Sequence, residues 1–489
     1  MSVLTIVVAS AGAQITPIAL EGQVAPDGNG TYFFFAHPSI NDEGEVAFEA
    51  LLANTAEASI DETAIVAAGG QGGPRVVART GDPAPGGGFL SAFFEAAFPE
   101  INNSGSVAFA MLDVGVRGTL VGPDTRYLAD ASGGDLVRLF ANGDPVPGPA
   151  TGTIGDLLFA GRLDDAGRVA NTFFGDGTAF SLGVVVGDET GATLAVSGED
   201  PRLPTLSILG FSLASSDSGL IAFSGSISDF ENFVFESGIL LLDGGQLSLR
   251  AFEGDAVTGL AQPFNGSVDR SSFPDDGLGI NDSGDIAFVA SIGEPFSPFE
   301  QVNAAVVLDA AGGGLSAVAR AGDTAPGGEA FDSFQSVEIG NDGRIAFSAL
   351  LEGGIPGNLS FDVDGIYVRA PGGPVETVIE LGDEVLGQQV IRIEADFDLN
   401  NVGQVACFVR LADGRDAILR IDTAGPSGCT PADLDVPFGV ISQADVAVFV
   451  NLFFAGDDRA ADLAEPFGVV SQADVAEFVR LFFEGCPAR

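Results

Sequence analysis

Ile40-Asn41-Asp42-Glu43-Gly44-Glu45-Val46-Ala47-Phe48 is the first of seven copies of one phrase spread along 489 residues. The later copies read INNSGSVAF from Ile101, LDDAGRVAN from Leu163, SSDSGLIAF from Ser215, INDSGDIAF from Ile280, IGNDGRIAF from Ile339 and LNNVGQVAC from Leu399. Their glycines (Gly44, Gly105, Gly167, Gly219, Gly284, Gly343, Gly403) lie 61, 62, 52, 65, 59 and 60 residues apart. A period of this length marks a repeat architecture, in which each unit buries its apolar face only against its neighbours.

Around each copy the text alternates apolar and polar residues, which is strand periodicity. The first unit reads as four strands, roughly Tyr32–Ile40, Glu45–Leu52, Thr63–Ala68 and Pro74–Arg79. The phrase falls in the first hairpin, where Asn and Gly tolerate the positive φ of tight turns. A second landmark is a Gly-Asp turn, at Gly81-Asp82, Gly143-Asp144 and Gly322-Asp323, with weaker forms at Gly254-Asp255 and Gly382-Asp383. Four strands in about sixty residues, repeated, is the layout of a propeller blade.

The two ends of the repeat array are complementary. The seventh unit supplies Val390–Leu399, Gln404–Leu411 and Asp416–Ile421 and then runs into Gly and Pro without a fourth strand. The segment from Ile15 to Gly22 looks like a fourth strand and its turn with nothing before it. The sequence therefore predicts an all-β, seven-bladed β-propeller closed by the N-terminal strand, which removes exposed edges. An open β-solenoid is the competing fold, but its coils repeat at roughly twenty to thirty residues.

Residues 15–424 resemble a family of bacterial exported tandem-repeat proteins with alternative C-terminal anchors, named for the pattern NxxGxxAF. The resemblance rests on Asn41/Gly44/Phe48, Asn102/Gly105/Phe109 and Asn281/Gly284/Phe288. It fades where Asn171 and Cys407 replace the Phe. It implies export and repetition and no particular chemistry. Export also fits residues 1–13, a short apolar run ending in an Ala-x-Ala cleavage pattern, read as a signal peptide that lacks a positive start.

From Cys429 onward the style changes. Two segments, beginning at Ala432 and Ala461, match at a spacing of 29. Each leads into an apolar helical stripe, Val446/Phe449/Val450/Phe453 and Val475/Phe478/Val479/Phe482. Residues 425–489 resemble a dockerin-type module bracketed by Cys429 and a terminal Gly485-Cys486, which implies a small α-helical C-terminal domain. By that resemblance Asp433, Asp435 and Asp445 would be calcium ligands of a first loop, and Asp462 and Asp474 of a second. It also implies a Cys429–Cys486 disulfide, in keeping with an oxidising compartment, leaving Cys407 as a buried thiol. Against calcium, Pro437, Pro466 and Ala464 stand at ligand positions. Ser442-x-x-Asp445 and Ser471-x-x-Asp474 also fit helix capping without metal.

Composition narrows the function. The formal charge is −48, and all 20 basic residues are Arg. Such a field argues against nucleic acid or anionic membrane as partner. With one His, His37, several-imidazole zinc sites are excluded, and His37 itself reads as a packed or surface residue. Without Lys there is no Schiff-base chemistry, and no Ser stands in a nucleophile elbow. The recurring Asp82, Asp144, Asp255, Asp323 and Asp383 are best read as turn formers, one per blade. Absent Trp and only three Tyr lower the odds of a sugar-binding aromatic platform. These features favour a secreted or cell-surface, non-enzymatic binding or scaffold propeller, presented to a protein partner or cell-surface component by the C-terminal module. The alternative is an Asp/Glu-dependent hydrolase or lyase acting on an extracellular polymer at the channel mouth. Acids that break the repeat and cluster at one place in the channel would favour chemistry; symmetric acids would favour a scaffold.

Overall fold

The computed structural model describes residues 6–7 and 14–423, apart from stretches at 71–72, 93–96, 131–135, 149, 179–181, 199, 201, 203–205, 208–211, 230–233, 269–276, 294–302, 312 and 355–361. Beyond 423 it describes 446, 449–450, 475 and 478–480. The chain divides into two compact units, Met1–Thr423 and Ala424–Arg489.

The first unit is a seven-bladed β-propeller, one antiparallel sheet per repeat. In the first blade Thr31–Ile40, Val46–Ala53, Thr63–Ala68 and Arg75–Arg79 pair in chain order. The first strands of successive blades touch one another all the way round, and the seventh touches the first. They line the central axis.

The seventh blade is completed across the chain ends. Gln388–Leu399, Gln404–Leu411 and Asp416–Asp422 are joined on the outside by Gln14–Leu20. The register sets Gln14 opposite Asp422, Ile15 opposite Ile421 and Leu20 opposite Ala417, with an irregularity between Pro17 and Ala19. Ile6–Val7 pairs in turn with Gln14 and Ile15.

The VAF end of the phrase explains how blades stack. A blade is covered on both faces, so its second strand carries no polar face. Successive side chains still point to opposite sides. Val46 and Phe48 pack with Ala406, Phe408 and Ile418 of the seventh blade, while Ala47 packs with Val107, Phe109 and Met111 of the second. The same alternation places Ile345 and Phe347 against the fifth blade and Ala346 against the seventh. The large pair faces the preceding blade and the Ala lets the following blade come close. The two exceptions obey this geometry. Cys407 fills the Phe position and is buried and free. Asn171, also buried, accepts a 2.7 Å hydrogen bond from Nε of Arg126 in the preceding blade.

In the second unit the described residues are helical, and Phe449 and Phe478 stack with ring centroids 4.0 Å apart. Among the described members of the predicted stripes these two are buried, and Val446, Val450, Val475 and Val479 are exposed. These few helical positions do not support the expected dockerin-like domain, most of which lies outside the described residues. Among the described residues no helix is long and apolar enough to cross a membrane.

Candidate functional site

The repeated phrase forms a belt around the axis. In each blade the Gly sits at positive φ, between 72° for Gly44 and 86° for Gly219, and closes a turn onto the residue three before it. Asn41, Asn102, Asn281 and Asn400 hold that turn by accepting the backbone N–H four residues on, at 2.8–3.0 Å. This is the turn role expected from sequence. Their amides also do a second thing, invisible in one repeat: each reaches the next blade. Asn400 donates to the carbonyl of Asn41, Asn41 to that of Asn102, Asn102 to that of Asp164, and Asn281 to that of Gly340.

The one or two residues that follow add a second set of stitches. Backbone N–H groups of Asp42, Asn103, Ser218, Asp282, Asn341 and Asn401 donate to Asn103, Asp165, Asp282, Asn341, Asn401 and Asp42 side chains, at 2.7–3.1 Å. Between blades three and four the link is backbone to backbone, Asp165 N–H to the Asp217 carbonyl at 3.0 Å. All seven seams are bridged. The Gly-Asp turns behave as expected: Asp82, Asp144, Asp255, Asp323 and Asp383 each accept the backbone N–H three residues before.

The chemistry lies two residues before the belt position held by Asn41 and its equivalents. That column reads Ser39, Glu100, Arg162, Ala214, Gly279, Glu338 and Asp398 around the seven inner strands. Arg162 of the third blade crosses to the seventh and sixth, pairing through Nη2 with Asp398 and, at 2.9 Å, with Glu338. Ser39 Oγ donates to Asp398 at 3.1 Å and lies 3.3 Å from Glu100, and the Ile40 N–H also reaches Asp398, at 2.8 Å. A second crossing joins Asn401 to Asp217 of the fourth blade at 2.7 Å.

Burial raises the pKa of these acids by penalising their charged forms. Burial and then the charge of Asp398 push Glu100 up to about 8, against the pull of Arg162. Burial pushes Glu338 to about 7 and Asp217 to about 6, again opposed by Arg162. For Arg162 burial works against the charge, but Asp398, Glu338 and Glu100 outweigh it and hold the guanidinium more firmly protonated than usual.

Two residues further back, His37, Phe98 and Asp396 come from three consecutive blades. His37 Nδ1 lies 2.5 Å from Asp396 Oδ2, and its ring is 4.3 Å from that of Phe98. His37 and Phe98 both adopt positive φ, 50° and 40°, unusual for residues with a Cβ. Burial disfavours the imidazolium, yet the hydrogen bond and charge of Asp396, with Glu49 and Glu394, raise its pKa to about 9. His37 is thus packed, as the sequence reading had it, and what that reading lacked is its pairing with an acid of the neighbouring blade. Its signal was available: it stands four residues before the belt, in a column that varies between copies.

Among the described residues no three His, Cys, Asp or Glu side chains converge closely enough to hold a metal ion. The sequence-derived calcium candidates Asp433, Asp435, Asp445, Asp462 and Asp474, and the pair Cys429 and Cys486, lie outside the described residues.

Residues 280–423 match a family described as a family of unknown function (DUF7453). No curated protein matches the chain. Among solved structures, the β-propeller domain of the Trilobed protease from Pyrococcus furiosus aligns over 80% of this chain and 96% of its own, with 12% identity and a TM-score of 0.47. Pyrococcus horikoshii acylaminoacyl peptidase aligns over 80% of this chain and 51% of its own, with 13% identity and a TM-score of 0.40. Penicillium chrysogenum α-L-arabinanase, solved with arabinobiose, aligns over 68% and 94%, with 12% identity and a TM-score of 0.34. At these values the likeness is one of strand arrangement, and no activity is carried across.

Proposed function

We propose that the chain is an exported, non-enzymatic binding or scaffold propeller, held at the cell surface through a dockerin-like C-terminal module. The observation that carries this reading is the pair of cross-axis bridges, Arg162 to Asp398 and Glu338, and Asn401 to Asp217. They pair Arg162, Asp398, Glu338 and Asp217 across the axis, which stands against a threading polymer. A macromolecular partner then meets the broad, acidic outer surface of a rigid ring. Calcium in the C-terminal loops, through Asp433, Asp435 and Asp445 and then Asp462 and Asp474, would order the module. Calorimetric titration of the full chain with calcium, repeated on Asp433→Ala/Asp435→Ala, tests this: heat lost in the variant supports the module, and no heat in either sinks the metal part. Cell fractionation with and without residues 425–489 tests the anchoring.

A hydrolase or lyase acting on an extracellular polymer is the second reading, favoured by the uneven column Glu100, Arg162, Glu338 and Asp398. Acids that keep their protons near neutrality could donate them to a leaving group. Screening polysaccharides and esters with the wild type and Glu338→Gln decides between the two. Turnover abolished by that substitution establishes the enzyme reading.

A further inference from the structure

We infer that the channel level carrying His37 and Ser336 binds a neutral polyol, of which a sugar residue is the common form. The inference goes beyond the scaffold reading and stands whether or not the chain is exported.

Four residues before the belt position of Asn41, the seven blades supply His37, Phe98, Ala160, Ser212, Gly277, Ser336 and Asp396. The column is lopsided. Blades seven, one and two carry large groups in mutual contact, Asp396 against His37 against Phe98. Blades four, five and six carry the small residues Ser212, Gly277 and Ser336.

Two polar atoms of this column are buried without a hydrogen-bond partner, His37 Nε2 and Ser336 Oγ. Ser336 has no solvent exposure at all. Buried polar groups are ordinarily satisfied, and leaving them so is costly. The two stand at equivalent positions of the sixth and first blades, flanking Asp396 of the seventh, and together they point to a ligand that reaches both.

The surrounding charges select its chemistry. An anion would meet Asp396, Glu49 and Glu394, the acids that act on His37. A cation would meet Arg162, one step along the channel, and an imidazole that Asp396 favours as imidazolium. A hydroxyl avoids both conflicts. It accepts from Nε2–H when His37 is charged, donates to Nε2 when it is neutral, and can do either with Ser336. The Phe98 ring offers an apolar face to the C–H side of such a ligand.

The single histidine makes the test direct, because one imidazole spin system reports on the site in the full chain. Its resonances are followed by NMR while arabinose, galactose and glucose are added, with galacturonate and galactosamine as charged counterparts. The expected result is a saturable shift with at least one neutral sugar at concentrations on the order of 1–10 mM, and a weaker response to both charged analogues. Ser336→Ala should weaken that response about five- to tenfold. Wild-type titrations alone can overturn the inference: no saturable shift with any neutral sugar, or a stronger one with a charged analogue, would do so. A folded Ser336→Ala protein binding as the wild type does would remove Ser336 from the site and overturn the paired arrangement.

Discussion

At the scale of single residues, Asn41 and Asn400 show why the phrase is so regular. Each carboxamide accepts within its own turn and donates across a seam, so Ala at either position strands a backbone N–H and removes a buried seam bond, while the receiving carbonyl keeps the Gly N–H of its own turn. Leaving such groups unsatisfied costs about 1–3 kcal/mol. Asn400→Ala should lose that much in denaturant unfolding, while Asn103→Ala, which gives up one part-buried bond from the Asp42 N–H and one exposed bond to Asp165, should lose less, about 1 kcal/mol or under. Equal losses would mean that the buried stitches have no special weight.

Titration also belongs to this scale. Glu100, Glu338 and His37 all have pKa values raised on folding, to about 8, 7 and 9 from ordinary values of 4.5, 4.5 and 6.5. Each therefore binds its proton more tightly in the folded chain. Stability from such groups is complete below the unfolded pKa and is lost as pH rises through the folded one. The thermal midpoint should fall as pH is raised from about 5 to about 9. Glu338→Gln, which cannot ionise, should flatten the slope between about 5 and 7. A midpoint that rises over this range would contradict the buried, proton-holding state of the cluster.

At the scale of the element, the second strand of each blade is set by an alternation of size rather than of polarity. Ala346 faces the seventh blade's core, beside Cys407 and Val405, with no solvent exposure. Ala346→Leu would force bulk into a filled seam and should cost about 1–3 kcal/mol. Phe347→Ala, on the other face, would leave a cavity among Phe331, Phe334 and Tyr367 and should cost about 3–5 kcal/mol. The closing strand makes the strongest test of an element. Deleting residues 14–22 exposes the edge of Asp416–Asp422 and uncovers Ala417 and Ile421, so the thermal midpoint should drop sharply. An unchanged midpoint would show that closure contributes nothing to stability.

For the whole molecule, the closed ring was legible because its signals are local and repeated. A turn phrase, a Gly-Asp turn and two complementary ends can all be read along the chain. The candidate site was not, because it is made by closure: Arg162 meets Asp398 only when residues 236 apart in sequence are brought across one axis. The column itself was visible in the text, since Ser39, Glu100, Arg162, Ala214, Gly279, Glu338 and Asp398 disagree where the neighbouring belt agrees. What sequence could not supply was the partner of each member. Arg162 is the member on which the others depend. It is the cation that opposes the raised pKa values of Glu100, Glu338 and Asp217 together. Arg162→Met keeps the bulk and removes the charge, leaving Asp398 and Glu338 without their cross-axis partner. Breaking a buried ion pair from one side costs about 3–5 kcal/mol while the orphaned acids stay ionised. The acids can escape by taking up protons, so the penalty should be largest near pH 8 and should shrink toward pH 5. Unfolding of the variant and the wild type at both pH values measures this difference directly. A penalty independent of pH would mean that Arg162 acts through packing, and that the acids around the axis are not one electrostatic unit.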